Sequence, residues 1–141
     1  MSKPQSTKIT VQAVVNAPIS TVWNSWTLPE HITKWNAASD DWHTPHAMND
    51  LRVGGKFQSR MEAKDGSFGF DFGGVYTEVV HHQRISYVLG DEREVNITFK
   101  DLGSTTEVIE TFDAEGQNPI ELQREGWQAI LNNFKKYAEA L

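Results

Sequence analysis

The residue with the most chemical potential is a glutamate in the middle of an apolar strand. In Thr106, Val108, Glu110 and Phe112 every second residue shares a face, because strand side chains alternate. Val108 and Phe112 are apolar, so this face points inward and carries Glu110 with it, into the domain or to the mouth of a cavity. Thr105, Glu107, Ile109 and Thr111 face the other way. A buried carboxylate is costly unless it is paired or protonated. Glu110 is therefore a candidate polar anchor for a ligand or a candidate general acid/base. The structural alternatives are a hydrogen bond to Arg60, Tyr76 or a Trp N–H, or a register shift that turns the residue to solvent.

Other chemistries find little support. His31, His43 with His46, and His81-His82 are the histidine groups, and a zinc site needs three or four converging ligands. On a regular strand His43 and His46 point to opposite faces, and neighbouring side chains in the polar turn at His81-His82 diverge, so no metal site is expected. No Gly-x-Ser-x-Gly elbow, phosphate loop or dinucleotide fingerprint is present, and no cofactor is expected. The chain has no cysteine, which removes disulfides, thiolate metal sites and a Cys nucleophile and fits a reducing compartment.

With 13 Lys and Arg against 19 Asp and Glu the formal charge is −6, which disfavours a nucleic-acid partner. No apolar run approaches the roughly 18 to 20 residues that span a bilayer. Met1 to Thr7 is polar with no apolar signal-peptide core, so a cytoplasmic protein without stable membrane insertion is expected. Five Trp, seven Phe and three Tyr are many for 141 residues. They can serve as plain core or as the wall of a ligand site.

The elements that must position these residues follow from periodicity. Ile9 to Val15 reads as a strand. Pro18 opens a helix with Ile19, Val22, Trp23 and Trp26 on one stripe, and Thr27-Leu28-Pro29-Glu30 resembles a capping box before a second short helix holding Ile32 and Trp35. Strands are expected at 42–48, with Pro45 at an edge or bulge, and at 56–63, 68–80, 84–89, 92–100 and 105–112. Asp65-Gly66 marks a hairpin, and Gly73-Gly74 marks a bulge or strong curvature. Asn118 caps a helix from Pro119 to Leu141, about 34 Å long at about 1.5 Å per residue. A helix of that length must lie across the sheet to bury its stripe. The expected architecture is α+β over residues 1–141: one domain with a curved seven-stranded antiparallel sheet, a long C-terminal helix and two short helices closing one end. An edge strand leaves homodimer formation open.

Several stretches carry a family resemblance. They are Ala17-Pro18 with Val22-Trp23, Leu28-Pro29-Glu30 with Trp35, Asp50 to Phe57, Gly74 to Val79, Arg84-Ile85, Val108 to Phe112, and Gly126 to Leu131 with Phe134. Together they resemble the activator of heat-shock-protein-90 ATPase homologue family, within the START and birch-pollen-allergen-like helix-grip superfamily. The resemblance covers about residues 9 to 140 and implies the helix-grip fold. Relatives include lipid and hormone carriers and polyketide cyclases. No chaperone-docking motif is present in this chain, so the co-chaperone activity in the family's name does not carry over.

In that frame the expected cavity wall is assembled from several elements. Phe57 and Met61 share a face of one strand with Ser59, and Phe70, Phe72 and Tyr76 share a face of the next if the glycines do not flip them. Val95, Ile97 and Phe99, and Val108, Glu110 and Phe112, come from two later strands. Trp127, Ile130, Leu131 and Phe134 come from the long helix, while Trp23, Trp26, Trp35 and Trp42 close the end. Three functions are compatible with this arrangement: binding of a small hydrophobic or amphipathic molecule, a cyclase- or hydratase-like enzyme using Glu110, and a protein-interaction domain with a filled interior.

Overall fold

The computed structural model describes residues 7–141. Strand β1 (Lys8–Val15) leads into α1 (Ile19–Thr27) and α2 (Pro29–Trp35). Then come β2 (Trp42–Asn49), β3 (Lys56–Ala63), β4 (Gly69–Val80), β5 (Arg84–Leu89), β6 (Glu94–Asp101) and β7 (Thr106–Asp113), and α3 (Ile120–Glu139) closes the chain. The strands form one antiparallel sheet in the order β1-β7-β6-β5-β4-β3-β2. Each β2-to-β7 neighbour is the next strand in sequence, so short turns suffice. The N-terminal strand crosses to pair with the last one.

The inner face follows from alternation. Ile9, Phe112, Val95 and Tyr87 form one row across four strands, and Val11, Glu110, Ile97 and Ile85 form the next. Apart from Glu110, the members of both rows are apolar or aromatic and buried, and they join α3 residues Leu131, Phe134 and Ala138 in one core. A fully buried side chain of this size contributes roughly 1.5–3 kcal/mol, so this stripe is what holds α3 on the sheet. The helix packs mainly against β1.

Local details depart from expectation at three kinds of place. Both helix-opening prolines sit one position earlier than predicted, as extended N-cap residues: Pro18 at φ −70°, ψ 159° and Pro119 at φ −58°, ψ 146°. Thr27 does not cap α2, because its hydroxyl donates back to the Trp23 carbonyl at 2.8 Å, and Leu28 takes the cap position. Asn118 does not cap α3, since its side-chain amide donates to the Glu115 carboxylate at 3.0 Å.

Gly73-Gly74 is not a bulge. The β3–β4 register runs evenly through it, and the irregularity falls between Tyr76 and Glu78 on the β5 side. These glycines instead permit close approach: a Cβ would lie 2.5 Å from the Phe57 carbonyl oxygen at Gly73 and 2.5 Å from the Val88 carbonyl oxygen at Gly74. Phe70, Phe72 and Tyr76 therefore stay on one face. Pro45 lies on an edge strand within a register shift, as its lost donor requires.

The histidine geometry also differs. The shift between His43 and His46 pairs them with Glu62 and Arg60, two residues apart on β3, so both histidines share one face rather than opposite ones. The rings of His81 and His82 stack at 3.8 Å instead of diverging, because His82 takes a positive φ of 63° that folds both onto the Trp23 side. Among the described residues no three His, Asp or Glu side chains converge as metal ligands. Among the described residues no helix is long and apolar enough to cross a membrane.

Candidate functional site

Because α3 packs toward β1, a void is left between the helix and the far wall of the sheet, β3 to β5. The void is a cavity of about 360 Å³. Alternation on β3 and β4 turns Phe57, Ser59 and Met61, and Phe70, Phe72 and Tyr76, toward it. The helical corner supplies Trp26, Ile32 and Trp35, α3 supplies Trp127 and Ile130, and β7 supplies Glu110. Met48 and Phe70, 59% and 40% exposed, mark the opening to solvent.

Glu110 is 5% exposed, and its carboxyl has no hydrogen-bond partner among the described residues. The partners expected from the sequence are engaged elsewhere, Arg60 on the opposite face of β3 from the cavity. Arg60 Nε donates to Glu62 at 2.8 Å, the Tyr76 hydroxyl donates to Asn49 Oδ1, and Trp35 Nε1 donates to the Ser25 carbonyl at 2.9 Å. Burial without compensation pushes the Glu110 pKa up from 4.5 to about 8, so the group holds a proton at neutral pH. Burial also raises the phenol pKa of Tyr87, and the nearby Glu110 carboxylate adds to it.

A second polar group lies toward α2. Asn49 accepts from Tyr76 and donates from Nδ2 to the Thr27 carbonyl at 2.6 Å, tying the cavity wall to the helical corner. A third lies where β7 meets α3: Gln123 donates to the Glu115 and Asn118 carbonyls at 3.1 and 2.8 Å and accepts from the Glu115 N–H at 2.9 Å. Arg93, also on the cavity, is occupied by Asp91 at 2.7 Å.

The structure brings together Trp26, Trp35, Phe57, Met61, Phe70, Phe72, Tyr76, Glu110, Trp127 and Ile130 on the cavity. It does not bring the other expected wall residues there. Val95, Ile97, Phe99, Val108, Phe112, Leu131 and Phe134 are at most 5% exposed and are core, not wall. Their strands lie where α3 and α1 pack flush: Phe112 stacks on Trp127 at 3.8 Å, Phe99 meets Trp23 and Trp26, and Phe134 meets Trp26 and Trp35. Trp42 sits outside, against Phe68 and Phe70, and touches the cavity only through Phe70.

Tyr87, Asn49, Arg93 and Gln123 line the cavity and were not anticipated. The alternation of Ile85, Tyr87 and Leu89 could have found Tyr87. For Arg93 and Gln123 no local signal exists, since a turn and a helix start bring them in.

A curved antiparallel sheet gripping a C-terminal helix around an aromatic cavity defines a helix-grip domain. The chain belongs to the Activator of Hsp90 ATPase homolog 1-like protein family, which matches residues 16–139. Among solved structures it is similar to the AHSA1-like protein from Aeromonas hydrophila: 48% identical, TM-score 0.89, covering 95% of this chain and 93% of that one. A Cytophaga hutchinsonii protein is 54% identical with TM-score 0.82, over 94% of this chain and 92% of that one. A Nitrosomonas europaea protein, 20% identical over 94% of each chain with TM-score 0.80, shares the fold. No curated protein matches the chain.

Proposed function

We propose that this domain binds a small hydrophobic or amphipathic molecule in the cavity, acting in the cytoplasm. The observation that carries this reading is an open, aromatic-walled cavity of about 360 Å³ holding a buried carboxyl without a partner. Its volume is near the lower end of the roughly 300–1,000 Å³ typical of ligand sites, and its mix of apolar wall with few polar groups is typical too. The apolar wall supplies affinity, while Glu110 and the Tyr76–Asn49 pair set orientation.

The neutral fluorophore N-phenyl-1-naphthylamine tests the site. It should bind with a rise in emission, and Trp127→Ala should weaken it by roughly tenfold, since losing a large aromatic wall commonly costs more than 1 kcal/mol of binding. Unchanged affinity in the variant would remove this cavity as the site. Native mass spectrometry of the purified protein against its denatured mass identifies any molecule it already carries.

The protonated state of Glu110 favours one further reading, a cyclase- or hydratase-like enzyme in the same cavity. Here the wall orients a reactive substrate and Glu110 transfers a proton. In that case Glu110→Gln abolishes turnover of a substrate it still binds, and equal turnover in both proteins excludes the role.

A further inference from the structure

Three features of the cavity bear on what kind of polar group its ligand carries. Glu110 presents a carboxyl that the protein leaves unpartnered and 5% exposed. The cation on the cavity, Arg93, pairs through Nε with Asp91 at 2.7 Å and also lies close enough to Glu115 to help hold it ionised, so two carboxylates share it. Glu115, also on the cavity, is held as a carboxylate by the backbone N–H of Asn118. The polar group left for a ligand is therefore the Glu110 carboxyl, neutral in the empty cavity and an anion once a cation displaces its proton.

The wall complements this. Trp26, Trp35, Phe57, Tyr76, Tyr87 and Trp127 all border the cavity. Aromatic faces attract cations through the ring quadrupole, by about 2 kcal/mol or more when desolvated. A ligand carboxylate would meet Glu110 and Glu115 against a single cation, Arg93, that Asp91 and Glu115 already share, and an uncharged ligand would leave Glu110 without a counter-charge.

From this we infer that the cavity selects a hydrophobic amine: a one- or two-ring aromatic or short aliphatic body whose ammonium group pairs with Glu110 within the aromatic wall. The inference rests on the ligand-binding reading above. α3 adds Gln123, Trp127 and Ile130 to the lining and α2 adds Ile32 and Trp35, none of which ionises. The ionisable groups facing Glu110 across the cavity are thus Tyr76, Tyr87, Arg93 and Glu115. Pairing requires Glu110 to lose the proton it holds when the site is empty. Binding of an ammonium near pH 7 then releases close to one proton to solvent, and the ammonium keeps its own.

The test uses three probes on one skeleton: 2-(2-naphthyl)ethylamine, 2-(2-naphthyl)ethanol and 2-naphthylacetate. Each is titrated calorimetrically into the full chain at pH 7, in two buffers of different ionisation enthalpy. The amine should bind at least tenfold tighter than the alcohol, the acid should bind weakest, and the amine alone should release close to one proton. In Glu110→Gln the amine and alcohol should come within threefold and the proton release should vanish. An alcohol or acid that binds as tightly as the amine overturns the inference while leaving the cavity a binding site. So does an amine preference that survives in Glu110→Gln. If none of the three probes binds, nor the neutral fluorophore, the ligand-binding reading itself fails. Proton release in the unmodified protein is a readout independent of how the variant folds.

Discussion

Glu110→Gln should melt at a higher temperature than the unmodified protein above pH 8 and at nearly the same temperature at pH 4. The folded pKa of Glu110 is about 8 against 4.5 for an unburied glutamate. Between these values the native state holds a proton that the unfolded chain has released, so native stability falls as pH rises from 4.5 to about 8 and levels off beyond it. At about 1.36 kcal/mol per pH unit, the loss reaches up to about 5 kcal/mol above pH 8. Glutamine keeps the shape and cannot ionise, so the variant escapes this loss. At roughly 2–4 °C per kcal/mol for a chain of this size, the gap should reach up to about 10–20 °C at pH 9 and close at pH 4. Melting both proteins from pH 4 to pH 9 checks this, because titrating groups that do not interact with Glu110 cancel in the difference and Tyr87, which does, stays protonated over this range. A gap that stays constant with pH would mean that the carboxyl is solvated in the folded state. The residue that destabilises an empty cavity is thus the one most available to a ligand.

The second large effect is structural. Phe134→Ala should cost about 3–5 kcal/mol, the usual range for deleting a fully buried phenylalanine. Phe134 is 0% exposed and meets Trp26 edge-on at 4.8 Å and Trp35 at 4.9 Å. It therefore joins α3 to both short helices at once. Trp26 and Trp35 also border the cavity, so the deletion removes support from the end wall as well as from the core. Denaturant unfolding measures the loss. A cost below about 1 kcal/mol would show that α1 and α2 settle onto α3 and refill the gap. Trp127 offers the contrast, since it is only partly buried and stacks on Phe112 at 3.8 Å. Its truncation should act more on binding than on folding.

Most of the architecture was legible because it rests on local periodicity. Alternation marks β7 and groups Glu110 with Val108 and Phe112, and the even β6–β7 and β1–β7 register keeps that face inward. The same rule puts Phe57 with Met61, and Phe70 with Phe72, on single faces, and the helical stripe from Trp127 to Ala138 requires a sheet to cover it. Where a local rule met a competing partner it failed. Thr27 bonded back into α1, Asn118 bonded to Glu115, and a bulge around Pro45 put His43 and His46 on one face.

By itself, then, the sequence determined the strands and helices and which residues share a face, Glu110 with Val108 and Phe112 among them, because those follow from spacing along one element; the register that buries Glu110 is tertiary. Only the tertiary structure decided which inward residues are wall and which are core. The helix settles toward β1, so Val95, Ile97, Val108 and Phe112 are covered while Phe57, Phe72 and Tyr76 face open space. Placement of one element over another is a sum of many weak contacts distant in sequence, and no single segment encodes it. The absence of a partner for Glu110 has the same origin. Arg60 points away from the cavity, on the opposite face of β3 from Phe57 and Met61, and pairs with Glu62 on its own strand, while the packing of other elements gives Tyr76 and Trp35 the partners Asn49 and Ser25.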